Sequence, residues 1–450
     1  MRMPLPNLFF WQSWLAVRLA NWRRGSYLVG DRLLGVLLVT LIVLLPFLEN
    51  AQTGVLSLAV TLLWLMLWLS EPLPEHPIFL PLGVYWAVAI VATLVSPVRS
   101  AALDGLIKLT LYFGVFMALF RAMRAGWRDI LLGAHLSAVL LVCGYGIHQW
   151  LLGAQELATW TDPTSELAGI TRVYSFLGNP NLLAGYLLPA IPLSVVAIPQ
   201  WRSLGVKALS SLVTITAVIC VLQTYSRGAL LGLLGMTIAL VLLLIFWWGR
   251  KLPQWALPTF WISTTLALLG GILVIPTVRS RVFSIFLGSG DSSNAFRLNV
   301  WRAVLQMIQA RPILGIGPGN RAFNQVYPLY QRADYSALGT YSVPLEITVE
   351  TGVVGLAVYL WLLVTLIKTG WHNLLALRQQ RDSQGLWIIA SFSAIAGMMT
   401  HGLFDTVWFR PQVQILWWLC LAIICTTNAP EPSTIGTSTD TSPITETRHD

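Results

Sequence analysis

The sequence predicts an all-α polytopic membrane protein, with about twelve transmembrane helices and a large, partly helical loop between the ninth and tenth. Three observations predict this class: 56% of the 450 residues are hydrophobic, only 10% are charged, and the mean hydropathy is +0.69. An average soluble domain has about 25% charged residues, so an ordinary soluble enzyme, a disordered protein and a nucleic-acid binder are excluded. We expect the net charge of +9 to set the topology and to contact membrane lipid, without a nucleic-acid partner.

A helix of about 20 mostly apolar residues crosses a bilayer, and the sequence contains twelve candidate runs of this kind. The runs are Leu33–Leu48, Gly54–Leu69, Ile78–Val95, Ala101–Phe120, Ile130–Leu152, Leu182–Ile198, Val206–Gln223, Ala229–Trp248, Ala256–Ile275, Ile347–Ile367, Leu386–Leu403 and Val413–Cys425. The last run is short, and the second and third alternatively form one hairpin.

These spans divide the chain into five predicted parts. They are a cytoplasmic N-terminal segment (1–32), spans one to nine (33–275), a periplasmic loop (276–346), spans ten to twelve (347–427) and a disordered cytoplasmic tail (428–450). The predicted inner segments contain fifteen Lys and Arg residues, and the short outer loops contain four. This asymmetry predicts a multi-pass protein of the plasma (inner) membrane with both termini in the cytoplasm.

The predicted periplasmic loop contains seven Arg and no Lys, and its only acids before Glu346 are two Asp. The planar guanidinium group binds carboxylate or phosphate with two parallel hydrogen bonds, so an arginine-only surface suits oxyanions. The alternative for any single one of these arginines is that it contacts a lipid headgroup or caps a helix. For the set we favour anion binding, and the candidates are Arg297, Arg302 and Arg321.

Residues 293–310 of this loop predict an amphipathic helix. Apolar side chains recur there at helical spacing. They are Phe296, Val300, Val304, Met307 and Ile308. Arg297 and Arg302 lie off this apolar stripe.

Two further arginines lie where spans meet the predicted outer face. Arg172 precedes a segment that contains Asn179 and Asn181, and Arg227 opens the eighth span. An arginine at the N-terminus of a helix meets an unfavourable dipole, which gives it little value for stability but suits an anion site. Arg227 is therefore the strongest single candidate.

Polar residues in or beside the spans are further candidates, because a bilayer makes them costly. His401 and Asp405 are predicted to share a helix face near the outer end, where they form a structural hydrogen bond or handle protons. Asp104 and Lys108, four residues apart, are expected to pair. The cysteines have no metal-ligand spacing and no Walker-type phosphate loop occurs, so we expect no metal and no cofactor.

At these positions the sequence resembles the O-antigen ligase and polymerase superfamily. The resemblance covers roughly residues 130–410 and rests on four motifs in order. They are Arg-Val-Tyr-Ser-Phe-x-Gly-Asn-Pro-Asn (172–181), Ser-Arg-Gly-Ala (226–229), Trp301 followed by Pro-x-Leu-Gly-x-Gly (312–317), and Glu-Thr-Gly-Val-Val-Gly (350–355). Two other segments, 341–346 and 401–411 with Arg410, are similar to the cyanobacterial inorganic-carbon (bicarbonate) transporter branch of the superfamily.

The resemblance implies a class of substrate and the residues that bind it. Ligases of this superfamily transfer a glycan from a polyprenyl-pyrophosphate donor at the outer face, and arginines matching Arg172 and Arg227 would hold the pyrophosphate. The ligases carry His-Asn about nine residues before the Glu that matches Glu350, whereas this chain has Tyr341-Ser342. A tyrosine with a pKa near 10 is a poor base at neutral pH.

The sequence is therefore compatible with two main alternative functions. The first is an inorganic-carbon (bicarbonate) transporter that binds a small anion through its arginines. The second is a glycan ligase-like transferase without the usual catalytic histidine, in which Tyr341, Glu346 or Glu350 would have to act in its place. A third hypothesis is a non-catalytic membrane partner.

Overall fold

The computed structural model describes residues 29–71, 74–154, 172–249, 292–332 and 335–428. Within these ranges every regular element is a helix and there is no strand, which confirms the all-α class. The predicted ninth span, Ala256–Ile275, lies outside the described residues, as do most of the predicted N-terminal segment and of the tail.

We number the helices along the described part of the chain. They are α1 (29–44), α2 (Asn50–Ser70), α3 (Phe79–Leu94), α4 (Arg99–Arg124), α5 (Arg128–Leu152), α6 (Pro180–Leu187), α7 (Ala190–Gln200), α8 (Leu204–Gln223), α9 (Arg227–Trp248), α10 (Ser292–Ala310), α11 (Asn320–Val326), α12 (Val343–Gln380), α13 (Gly385–Gly402) and α14 (Pro411–Thr426). Three short 3-10 turns lie at Ser175–Leu177, Tyr327–Leu329 and Val407–Phe409.

Among the described residues, eight helical stretches are long and apolar enough to cross a membrane. One of them, Pro180–Gln200, combines α6 and α7, which a short turn separates within the predicted sixth span. The shorter apolar helices α3 and α14, of 16 residues each, coincide with the predicted third and twelfth spans. The chain is thus a multi-pass membrane protein, and the count of twelve spans stays a prediction.

Helix α14 forms the centre of the bundle. Every side chain from Gln412 to Cys425 is buried, and α14 contacts α4, α12, α13 and α6. Helices α9 and α13 approach each other through glycines, because a Cβ atom at Gly232 would lie 2.9 Å from the Gly397 carbonyl oxygen. Such small-residue contacts let apolar helices pack closely where burial from water gives little driving force.

Helix α12 is broken at Gly352, where φ is +69° and ψ is −173°. The loop after α10 pairs with the backbone groups that the break leaves without helical partners. The Val353 N–H donates to the Pro312 carbonyl at 2.8 Å, and the Ile316 N–H donates to the Val349 carbonyl at 2.9 Å. The sequence predicted a simple tenth span at Ile347–Ile367. The structure corrects this to a longer helix, Val343–Gln380, that accepts a loop at its break.

The predicted amphipathic helix is present as α10. Its stripe residues Val300, Val304 and Met307 are buried in a second apolar cluster, and Phe296 and Ile308 pack against it. Together with α11, this helix covers the bundle at the end where α4, α9 and α12 begin. The expected pairing of Asp104 with Lys108 is wrong, because Asp104 bonds to Arg321 of α11 at 2.5 Å.

Candidate anion-binding site

The segment that begins at Arg172 is held by hydrogen bonds to two neighbouring helices. The Arg172 Nε donates to the Thr224 carbonyl oxygen at 2.9 Å, and its Nη2 donates to the Asn181 Oδ1 at 3.2 Å. The Gln149 Oε1 accepts from the backbone N–H groups of Tyr174 and Ser175 at 3.2 and 2.7 Å. These bonds fix the guanidinium at the junction of α6 and α8.

Asn179 and Asn181 have different functions in this segment. The Asn179 Oδ1 caps α6 by accepting from the N–H groups of Asn181 and Leu182. Asn181 connects two charges, because its Oδ1 accepts from Arg172 and its Nδ2 donates to the Asp405 Oδ2 at 2.7 Å. The other oxygen of Asp405 accepts from the Val407 N–H at 3.0 Å. Asp405 is thus a buried carboxylate held beside Arg172.

Arg227 lies at the first position of α9, as the sequence predicted. The Ser226 side chain accepts from the Ala229 N–H at 3.3 Å and caps the helix. The Arg227 Nη1 donates to the Asn294 Oδ1 at 3.2 Å, which docks α10 onto the start of α9. This contact brings Arg297, one turn further along α10, towards the same place.

Arg172, Arg227 and Arg297 form one electrostatic group, which we call the arginine cluster. Burial lowers the pKa of Arg172, the Asp405 carboxylate raises it, and the positive charges of Arg297 and Arg227 lower it, with a net value of about 10. Arg172 is therefore charged at neutral pH, and burying this charge costs free energy. Three guanidinium groups against one carboxylate give these four groups a net charge of +2, which favours an anion.

Tyr341 lies beside the cluster in a strained conformation, with φ at +55°. Its ring packs edge-on against Phe296 at 5.6 Å. Burial and the Asp405 carboxylate raise the pKa of the phenol, and Arg297 lowers it. With a raised pKa, Tyr341 is a neutral hydrogen-bond donor at neutral pH rather than a base.

Glu346 supports the turn that carries Tyr341. Its Oε2 accepts from the Thr340 N–H at 2.8 Å, and the Trp301 Nε1 donates to the Thr340 carbonyl at 3.0 Å. These bonds connect α10 and α12 to the same turn. Glu346 thus positions Tyr341. Glu350, one turn further, accepts from the Gly319 N–H at 2.7 Å and lines a different cavity.

His401 is the last residue but one of α13 and lies next to Gly228, the residue after Arg227. The expected shared helix face with Asp405 is wrong, because α13 ends at Gly402 and Asp405 lies in the following loop. His401 is buried, packs against Gly228 and has no hydrogen-bond partner at Nε2 among the described residues.

Three predicted site arginines lie apart from this group. Arg302 is exposed and bonds to Asn299 at 3.4 Å, on another face of α10 from Arg297. Arg321 already has the Asp104 carboxylate as a partner. Arg410 is exposed at the start of α14.

A pocket of about 200 Å³ opens beside the cluster. Arg227, Arg297 and Asn294 form its polar wall, and apolar side chains form the rest. The apolar side chains are Leu231, Leu298, Trp301 and Phe404. Cations beside an apolar wall suit a ligand with an anionic group next to a hydrocarbon chain. Sequence reasoning missed Asn294, since an amide is a common residue whose use depends on which helices meet.

Among the described residues, no group of three or more His, Cys, Asp or Glu is arranged to hold a metal ion. The candidate site contains arginines, amides, a carboxylate, a phenol and an imidazole. The fold defines a multi-pass helical membrane protein, and the arginine cluster lies at one end of it.

A family model described as O-antigen ligase matches residues 212–360, roughly a third of the chain. The match covers α8, α9, α10, α11 and the start of α12, with Arg227, Arg297 and Tyr341. It supports the predicted resemblance to the O-antigen ligase-like superfamily, whose ligases use lipid-linked glycan. No curated protein matches the chain.

Proposed function

We propose that the arginine cluster binds the pyrophosphate of a polyprenyl-pyrophosphate-linked glycan, and that the protein is a glycan ligase-like transferase of the plasma (inner) membrane. One observation carries the proposal: arginines from three separate segments form one group beside a pocket with apolar walls. A pyrophosphate diester has a negative charge on each phosphoryl group, which matches the net charge of the cluster and Asp405. The isoprenoid chain would lie along Leu231 and Phe404.

The chemistry of transfer fits the groups present. An acceptor hydroxyl attacks the anomeric carbon of the donor, the bond from that carbon to the pyrophosphate oxygen breaks, and the pyrophosphate leaves with the electron pair. Guanidinium groups stabilise the charge that develops on the leaving oxygen. The acceptor proton needs a base, and Tyr341 is protonated at neutral pH. His401, with Nε2 unpartnered among the described residues, is the candidate for this proton.

The proposal is tested by the affinity of the purified protein in lipid nanodiscs for a labelled polyprenyl pyrophosphate. We expect Arg297→Ala to weaken binding roughly tenfold or more, since a hydrogen bond to a charged group contributes about 1.5–3 kcal/mol. Arg302→Ala is the matched control on the same helix, because Arg302 is exposed and lies outside the cluster. Equal losses from both substitutions would argue against the site. So would an affinity for the pyrophosphate no higher than for the uncharged polyprenol.

A second candidate function is a bicarbonate carrier of the inorganic-carbon transporter type. The observation that favours it is that Tyr341-Ser342 stands where the ligases have His-Asn. The arginines that would bind an anion are kept, but the usual base is missing. In proteoliposomes this function predicts saturable uptake of labelled bicarbonate that Arg227→Ala abolishes. Uptake at the rate of empty liposomes, from protein that binds polyprenyl pyrophosphate, would exclude the carrier and leave the transferase.

A further inference from the structure

A second pocket lies at the opposite end of the bundle from the arginine cluster. Arg227 begins the 22-residue helix α9, and Trp247 and Trp248 end it. A helix of this length rises about 33 Å, roughly the thickness of the hydrocarbon core of a bilayer. The pocket has a volume of about 870 Å³ and is formed by the end of α9, the end of α12 and the start of α13. It therefore opens at the other surface of the membrane from the arginine cluster.

The polar wall of this pocket carries two positive charges. Arg378 and Arg381 line it with the amide of Gln379 and the hydroxyl group of Ser383, and no carboxylate lines it among the described residues. Asp382 is the acid next to them in sequence, but its Oδ1 accepts from a backbone N–H at the start of α13. Within the described part of the chain, neither guanidinium group forms an ion pair. The pocket therefore favours an anion.

Both arginines are held at the pocket by the chain around them. The guanidinium carbon of Arg378 lies 4.2 Å from the centroid of the Phe246 ring, which is a cation–π distance. Arg381 ends α12 with φ at +55° and ψ at +28°, the left-handed conformation that glycine usually supplies after a helix. A side chain is unfavourable there relative to glycine. The chain thus has an arginine beside the pocket where the end of the helix alone would favour glycine.

The rest of the pocket wall is apolar. It consists of Leu375, Leu386 and the indole rings of Trp247 and Trp248. The Trp247 ring packs on Gly385 so closely that a Cβ atom added there would overlap it, which joins α9 to α13. Tryptophan is enriched where membrane proteins meet the lipid headgroups. Cations beside an apolar wall at this depth suit a lipid whose headgroup is an anion.

We infer that this pocket binds the headgroup of an anionic phospholipid. The two guanidinium groups would hold the phosphate, because the planar fork of arginine binds two of its oxygens at once. Ser383 and Gln379 would bond to the glycerol and ester oxygens, and an acyl chain would lie along Leu375. A soluble anion would use the charges but leave the apolar wall uncovered, and a zwitterionic lipid would bring a cation beside two arginines. Basic pockets between transmembrane helices are a known form of anionic-lipid site. This inference does not depend on the arginine cluster binding pyrophosphate.

The inference is tested by photolabelling of the full-length protein in phosphatidylcholine nanodiscs. The probe is phosphatidylglycerol with a diazirine on an acyl chain close to the glycerol, titrated by mole fraction. Chymotryptic peptides are analysed by mass spectrometry, since arginine substitutions leave their cleavage sites intact. We expect saturable labelling within residues 375–386. Arg378→Ala and Arg381→Gly should each raise the half-saturating mole fraction about tenfold, because each removes a charge-assisted hydrogen bond to the phosphate.

The controls separate lipid binding from folding and from general surface charge. Because glycine is favoured at the φ of Arg381, Arg381→Gly should melt no lower than the parent protein, so its loss of labelling is not a folding defect. Arg124→Ala removes an exposed arginine at the same end of the bundle and should leave the labelling unchanged. The end is the same because α5 begins four residues later with Arg128, whose guanidinium carbon lies 5.5 Å from the Trp387 ring of α13. Saturable labelling of equal strength by phosphatidylcholine with the same diazirine, or a half-saturation that neither pocket substitution shifts, would overturn the inference.

Discussion

Arg172→Ala is expected to reduce the affinity for polyprenyl pyrophosphate by roughly two orders of magnitude. The Arg172 guanidinium is held by bonds to the Thr224 carbonyl and to Asn181. A guanidinium carries five N–H donors, so these two bonds orient the group and leave others for an anion.

The measurement is the same nanodisc binding assay, with Arg332→Ala as the control. Arg332 is an exposed arginine that bonds to Asn299 at 3.4 Å, so its removal lowers the positive charge without touching the cluster. Arg172→Lys retains the charge but lacks the planar fork, and we expect it to bind at an intermediate level. If Arg172→Ala bound as tightly as Arg332→Ala, Arg172 would be a structural residue that holds α6 and α8 together.

Much of the fold was predictable from apolar runs and their period. The stripe from Phe296 to Ile308 predicted α10 because one face of a helix must be buried against something. The break at Gly352 was not predictable, since nothing near it in sequence shows that the carbonyls of 349 and 350 bond to residues 316 and 317. That pairing depends on how α10 and the loop after it pack against α9 and α12.

The candidate site was also predictable from the sequence only in part. Arg172 and Arg227 stood out by their position at helix ends, and the structure brings them together. Arg297, Arg302 and Arg321 could not be ranked, because the direction of a side chain on α10 or α11 depends on how the helix docks. Docking points Arg297 to the cluster, leaves Arg302 exposed and gives Arg321 a carboxylate partner.

Backbone strain is concentrated at this end of the molecule. Among the described residues, four non-glycine residues have positive φ, and three of them flank the arginine cluster: Ser175, Tyr225 and Tyr341. Each such residue costs about 1–3 kcal/mol and persists where the surrounding contacts hold it. Ser175 is held by Gln149, and the turn at Tyr341 by Glu346 and Trp301. The strain indicates that the end of the bundle is pre-organised to present the three arginines.

Gly352→Ala is expected to destabilise the protein by at least about 2 kcal/mol, because its φ and ψ belong to a region that only glycine occupies at low cost. A Cβ atom there would also overlap the Ile313 carbonyl group. The loop at 312–317 would have to leave the break, and the Glu350 carboxylate would lose the Gly319 N–H that holds it. The variant should therefore melt at a lower temperature.

The measurement is thermal unfolding in nanodiscs, with Gly133→Ala as the matched control. Gly133 lies in α5 with no atom within 4 Å of an added Cβ, and alanine is favoured over glycine inside a helix. Gly133→Ala should accordingly be neutral or slightly stabilising. If Gly352→Ala and Gly133→Ala melted at the same temperature, the insertion of the 312–317 loop would contribute nothing to stability.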